Sequence, residues 1–116
     1  MNSLSFKPGD IVVATLLFSE LVGAKKRPAL VISNSSYNDH SEDVVVLKIT
    51  SKGNSTSFDV SLTPKDLVQG ILQVESQIMA DNPVTVYRPI IEQKIGRITE
   101  QKLKEVKRKM KELYEL

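Results

Sequence analysis

The sequence predicts a mainly β domain with a C-terminal helix, and three observations carry that expectation. Short apolar runs rich in β-branched residues recur as far as Ile98, each bounded by Gly, Pro, Asn, Asp or Ser. From Thr99 to about Tyr114 the pattern changes to helical spacing, with Leu103, Val106, Met110 and Leu113 forming one apolar stripe. At 116 residues the chain has the length of a single domain, 1–116, large enough for a real core. Several short strands with one terminal helix make a small, strongly bent sheet or barrel.

The elements follow in order. Pro8-Gly9-Asp10 is a turn signal, and Ile11 to Phe18 reads as the first strand. Ser19 to Lys26 reads as a loop ending in the cations Lys25 and Lys26, with Arg27 at the entrance to the next strand. Ala29 to Ser33 is the second strand, and Asn34 to Glu42 a polar connection. Asp43 to Ile49, nearly continuous in Val and Leu, is the third strand and the most central. Ser57 to Leu62 places Phe58, Val60 and Leu62 on one side, the period of a half-buried strand. Thr63-Pro64-Lys65-Asp66 has the cap, proline and acid of a short helical turn, ended by Gly70. Ile71 to Ile78 reads as another strand, Asp81-Asn82-Pro83 as a break, and Val84 to Tyr87 as a short extended piece. Pro89 to Ile98 is open between helix and strand, with a strand favoured near Lys94 to Ile98. Thr99 then caps the terminal helix, whose lysines are expected to face outward.

Composition narrows the function classes. The chain is 41% apolar and 26% charged and has no cysteine, which excludes a disulfide framework and thiolate zinc sites. Neither a signal-peptide pattern nor an apolar run near the roughly 20 residues of a membrane span is present, so a soluble, cytoplasmic protein without a membrane partner is expected. The net charge is only +2, but eight cations between Lys94 and Lys111 face two anions, Glu100 and Glu105. Local positive charge attracts polyanions through counterion release; a solvated helix laced with i,i+4 pairs is the competing reading.

The stretch richest in chemistry is Gly23-Ala24-Lys25-Lys26-Arg27-Pro28-Ala29-Leu30-Val31-Ile32-Ser33. Proline biases the residue before it toward extended backbone, so Arg27 is partly oriented before any tertiary contact forms. Its guanidinium is a planar fork suited to phosphate. A basic loop that merely blunts a sheet edge is the alternative. Further on, Thr50-Ser51-Lys52 delivers two hydroxyls and a cation where the third strand leaves the core. The one histidine, His40, lies in a polar loop without cysteine partners, so neither a metal nor a catalytic role is assigned to it.

Four blocks in order resemble the PemK/MazF toxin family. They are Lys7-Pro8-Gly9-Asp10-Ile11-Val12; Lys26-Arg27-Pro28-Ala29-Leu30-Val31-Ile32-Ser33-Asn34 with Tyr37-Asn38; Val44-Val45-Val46-Leu47-Lys48-Ile49-Thr50-Ser51; and Ile95-Gly96-Arg97-Ile98 leading into the helix. The resemblance covers almost the whole chain. It implies an SH3-like barrel of the PemK/MazF/CcdB type, a homodimer, and a sequence-selective endoribonuclease of single-stranded RNA that works without metal or other cofactor and is silenced by a cognate antitoxin.

On that resemblance Arg27 and Thr50 are the catalytic candidates, Arg27 for the phosphorane charge and Thr50 for orienting the phosphate. Lys25, Lys26, Ser51, Lys52 and Gln77 are the RNA-binding candidates, and Tyr37 and Tyr87 the exposed rings for stacking. The chain departs from many relatives at Ser76-Gln77-Ile78-Met79 and, after an apparent insertion, Thr85-Val86-Tyr87-Arg88. Met79 stands in place of a basic residue and Tyr87 in place of an acid. The general base is therefore unassigned, with Glu75, Asp81 and Arg88 as substitutes. The rival functions are a catalytically degenerate RNA- or protein-binding module of the same fold and a gyrase-directed toxin.

Overall fold

A computed structural model describes residues 5–17, 24–51 and 58–116. Strands β1 (Asp10–Leu17), β2 (Ala24–Val31), β3 (Asp43–Thr50), β4 (Asp59–Leu62), β5 (Leu67–Gly70), β6 (Ser76–Tyr87) and β7 (Ile91–Ile98) form one antiparallel sheet in the order β4-β6-β3-β2-β1-β7-β5. Helices α1 (Ser35–His40) and α2 (Glu100–Tyr114) complete the fold. The sheet ends in two edge strands, β4 and β5, so it is a bent half-barrel.

Strand alternation divides the apolar residues between two cores. Ile11, Leu30, Leu47, Ile49, Val60, Leu62, Ile78 and Ile98 pack on one face beneath Leu103 and Val106 of α2. Val12, Ala14, Leu16, Ala29, Val31, Val44, Val46, Val86 and Ile91 pack on the other with Phe6. A sheet apolar on both faces explains why β3 reads as a nearly unbroken apolar run.

The turn before β1 is held by charge. Asp10 is only 1% exposed and lies 2.7 Å from Arg97 and 3.2 Å from Lys94, while accepting a hydrogen bond from the Lys7 N–H at 3.0 Å. Asp10 pairs with Arg97 in the β1–β7 register, so one ion pair ties the first sequence block to the last. Lys94 also donates to the Ser5 carbonyl and stands over the Phe6 ring. Thr99 caps α2 as expected, accepting from the Lys102 N–H at 3.1 Å.

Several boundaries differ from the sequence expectation. β2 begins at Ala24, so Lys25 and Lys26 belong to a strand rather than to the expected loop: the β1–β2 pairing continues to Leu17↔Ala24, and the outer half of a hairpin need not be apolar. Asn34 to Glu42 contains α1, whose cap is Asn34. Ile71 to Gln73 carry no strand; β6 starts at Ser76 and runs through Asp81-Asn82-Pro83 as a bulge instead of breaking there. The short edge strand β5 replaces the rest of the expected helical turn, which is a 3₁₀ turn over Pro64–Asp66. Lys102 turns inward to Asp66 and Glu105, and Lys109 is half-buried beside Glu112, while Lys104, Lys107 and Lys111 are exposed.

Candidate active site

Backbone pairing builds the site. The Ile32 N–H bonds to the Val45 carbonyl at 3.0 Å, so by alternation Leu30 and Pro28 also turn their backbone groups toward β3. Pro28 has no N–H to offer, and the β2–β3 pairing stops at Ala29↔Lys48. Continuing that register two residues onward brings Arg27 level with Thr50, just where the two strands cease to be laddered together.

Thr50 pairs with Gln77, and Gln77 pairs with Ser61. Thr50, Gln77 and Ser61 therefore form one row across β3, β6 and β4, and Arg27, just past the end of the β2–β3 ladder, extends that row on the same face. Paired strands stand about 4.8 Å apart, so the Thr50 hydroxyl and the Gln77 amide are neighbours on this face, with the Arg27 side chain at its β2 end. The row lies on the face of Ala29 and Val31; Pro28, on the other face, lines a different cavity with Ile11, Ile49 and Leu62. Arg27 is exposed, Thr50 and Gln77 half-buried. Arg27 and Thr50 each make a further interaction within the fold.

The remaining expected residues divide by face. Lys25, opposite Leu16, shares the face of the row two residues from Arg27. Lys26, opposite Thr15, is on the other face and pairs with Glu92 at 3.3 Å. Ser51 follows Thr50 directly and is exposed. Lys52 lies outside the described residues.

His40 bonds through Nδ1 to the Ser36 carbonyl at 2.8 Å on α1. It precedes the start of β3, and the length of that strand, about 20 Å, separates it from the row. Tyr37, on the same helix, and Tyr87, paired with Asp43, are exposed at that distant end. Arg88 is there too, its N–H bonded to the Glu42 carbonyl. The Tyr87 departure thus falls well away from the row. Met79 is close: it follows Gln77 on the same face and is 7% exposed. Glu75 is exposed just before β6, and Asp81 lies in the bulge, accepting from Asn82. Among the described residues no group of three or more His, Cys, Asp or Glu is placed to hold a metal ion.

Lys48 lies outside the set of expected site residues. Lys48 is a cation within the apolar run of β3, two residues before Thr50 on the same face, and is 9% exposed. The signal was legible: a lysine inside a core strand is anomalous.

A half-barrel with a terminal helix, carrying a row of Thr50, Gln77 and Ser61 with Arg27 and Lys25 on the same face, is a small β domain. A family model described as the PemK-like, MazF-like toxin of type II toxin-antitoxin systems matches residues 7–114. The chain belongs to that family, whose known activity is RNA cleavage.

Solved structures agree on the fold. The Mycobacterium tuberculosis toxin MazF-mt6 superposes with a TM-score of 0.74 at 21% identity, covering 92% of this chain and 97% of that one. A MazE-MazF crystal structure from Deinococcus radiodurans gives 0.78 at 21% identity, covering 98% and 99%. An endoribonuclease in complex with its cognate antitoxin, from a mycobacterial species, gives 0.76 at 20% identity, covering 97% of each chain. A search of curated proteins finds no match. No helix among the described residues is long and apolar enough to cross a membrane.

Proposed function

We propose that this chain cuts single-stranded RNA at the Arg27–Thr50–Gln77 row, using the RNA's own 2′-hydroxyl as nucleophile. The observation that carries the proposal is the strand register, which aligns a guanidinium, a hydroxyl and an amide on one face. Attack by the 2′-hydroxyl on the adjacent phosphorus creates a phosphorane with an added negative charge. Arg27 stabilises that charge through its donor fork, and Thr50 and Gln77 orient the non-bridging oxygens. Lys25 extends the positive track along the RNA backbone, with Ser51 and Lys52 as further backbone contacts. The 2′-hydroxyl gives up its proton as it attacks, the departing 5′-oxygen takes up one proton, and the products are a 2′,3′-cyclic phosphate and a 5′-hydroxyl. The nucleophile is part of the substrate, so the reaction requires no metal.

As a type II toxin it is held silent by a protein antitoxin, in keeping with the MazE-MazF and antitoxin-bound structures that share the fold. It acts as a homodimer in the cytoplasm. Met79, buried beside the row where many relatives carry a basic residue, favours one rival, a module that binds RNA without cutting it.

The test is to incubate wild-type and Thr50→Val protein with a long single-stranded RNA and determine the sites and chemistry of new ends. Discrete wild-type cuts with cyclic phosphate ends, slowed by at least tenfold in the variant, support the reading. Binding without cuts establishes the rival.

A further inference from the structure

A lysine buried in a core strand carries a desolvation cost that a leucine would not, and its neighbours indicate what the charge does. Lys48 pairs with Ala29, whose small side chain leaves room alongside it. On its other side the β3–β6 ladder shifts register between Leu47 and Ile49, from Leu47↔Pro83 to Ile49↔Ile78, so the bulge of β6 lies beside Lys48. Asp59, beyond β6, pairs with Met79. Lys48 and Asp59 are each engaged within the fold.

Ala29, Lys48 and Met79 therefore run parallel to Arg27, Thr50 and Gln77, one step closer to the core. The other buried polar residues have structural duties: Asp10 binds Arg97 and Lys94, Asn38 bonds to the Phe6 and Ser33 carbonyls, and Ser76 bonds to the Val74 carbonyl. Lys48 is the buried charge beside the catalytic row.

We propose that Lys48 is a second cation of the active site, acting through space on the phosphorane from beneath the row. This rests on the ribonuclease reading above. A phosphodiester carries one negative charge and its phosphorane one more, so a fixed positive charge favours the transition state over the bound substrate. Diagonal neighbours on a sheet are about 7–8 Å apart. At that range, in a largely desolvated setting, one charge changes the rate by roughly ten- to a hundredfold. The extra charge of the phosphorane puts one part of the effect on the chemical step, the charge already on the phosphodiester puts a comparable part on RNA affinity, and burial leaves both less screened by salt than surface contacts are.

The experiment compares wild type, Lys48→Met and Lys48→Arg on a single-stranded RNA containing one wild-type cut site. Single-turnover cleavage is measured, together with affinity for the same RNA bearing a 2′-deoxy sugar at the cut. Lys48→Met is expected to slow single-turnover cleavage by roughly ten- to a hundredfold and to weaken affinity for the 2′-deoxy RNA by a comparable factor. Lys48→Arg, keeping the charge, should recover most of the rate, and the ratio between variants should hold from low to high salt. If Lys48→Met does not fold, as judged by near-UV circular dichroism, Lys48→Gln replaces it. An unchanged rate in the neutral variant, or Lys48→Arg as slow as Lys48→Met, overturns the inference while leaving the ribonuclease reading intact. Wild-type protein that leaves RNA uncut overturns both.

Discussion

Replacing Asp10 with Ala removes the carboxylate that ties β1 to β7. Asp10 is 1% exposed and meets Arg97 at 2.7 Å, Lys94 at 3.2 Å and the Lys7 N–H at 3.0 Å. Breaking a buried ion pair costs about 3–5 kcal/mol, because the surviving partners stay desolvated. Here the cationic side chains remain 20% and 32% exposed and regain water in part, which places the cost near the lower end, about 3 kcal/mol. In a chain of this length each kcal/mol shifts Tm by roughly 4 °C, so a drop of about 12 °C is expected. Asp10→Asn keeps the shape and a hydrogen-bond acceptor but not the charge, and should lose about half as much. Urea and thermal unfolding followed by far-UV circular dichroism measure both variants. A loss below about 1 kcal/mol for Asp10→Ala would refute the assignment of this network as the clamp between the first and last sequence blocks.

Other expectations concern single positions. Gly70 has φ +90°, and an added Cβ would meet the Ile95 carbonyl oxygen and lie 2.8 Å from the Gly96 Cα; Gly70→Ala should cost about 2 kcal/mol or more in chemical denaturation. Lys26→Ala removes only an exposed pair with Glu92 on the opposite face, so stability should change by less than about 1 kcal/mol and cleavage by less than about twofold. Lys25→Ala, on the face of the row, should weaken RNA binding uniformly across sequences and reduce the salt slope of log K by about one. His40→Gln, at the far end of β3, should leave the cleavage rate unchanged.

Much of the fold was legible because its core follows simple periods. The alternation of Phe58, Val60 and Leu62, the apolar run of β3 and the stripe of α2 each sit where pattern placed them. The misses share a physical cause: pairing partners remote in sequence decided them. Lys25 and Lys26 became strand because β1 continued alongside them, and Asp81-Asn82-Pro83 stayed in β6 because β3 carried the ladder across a three-residue shift. The helix α1 was passed over because six residues give too short a period, although Asn34 was a visible cap.

At the site, chain order gave the residue types but not their faces. Lys25 and Lys26 are alike in sequence, and only the β1–β2 register separates the one beside Arg27 from the one paired with Glu92. The alignment of Gln77 with Thr50 likewise depends on where the bulge of β6 falls. Lys48 lies within the apolar run Val44 to Ile49, and its burial on the face of Thr50 depends on the strand pairing rather than on the run itself.

The most direct test of the central claim is cleavage of a long single-stranded RNA by wild-type and Arg27→Ala protein in EDTA, with new 5′ ends mapped. The account predicts discrete wild-type cuts that persist in EDTA and fall by at least a hundredfold in the variant, while the variant's circular dichroism spectrum stays that of a folded wild-type protein. Equal cutting by a correctly folded Arg27→Ala protein, or wild-type cleavage abolished by EDTA, would contradict it.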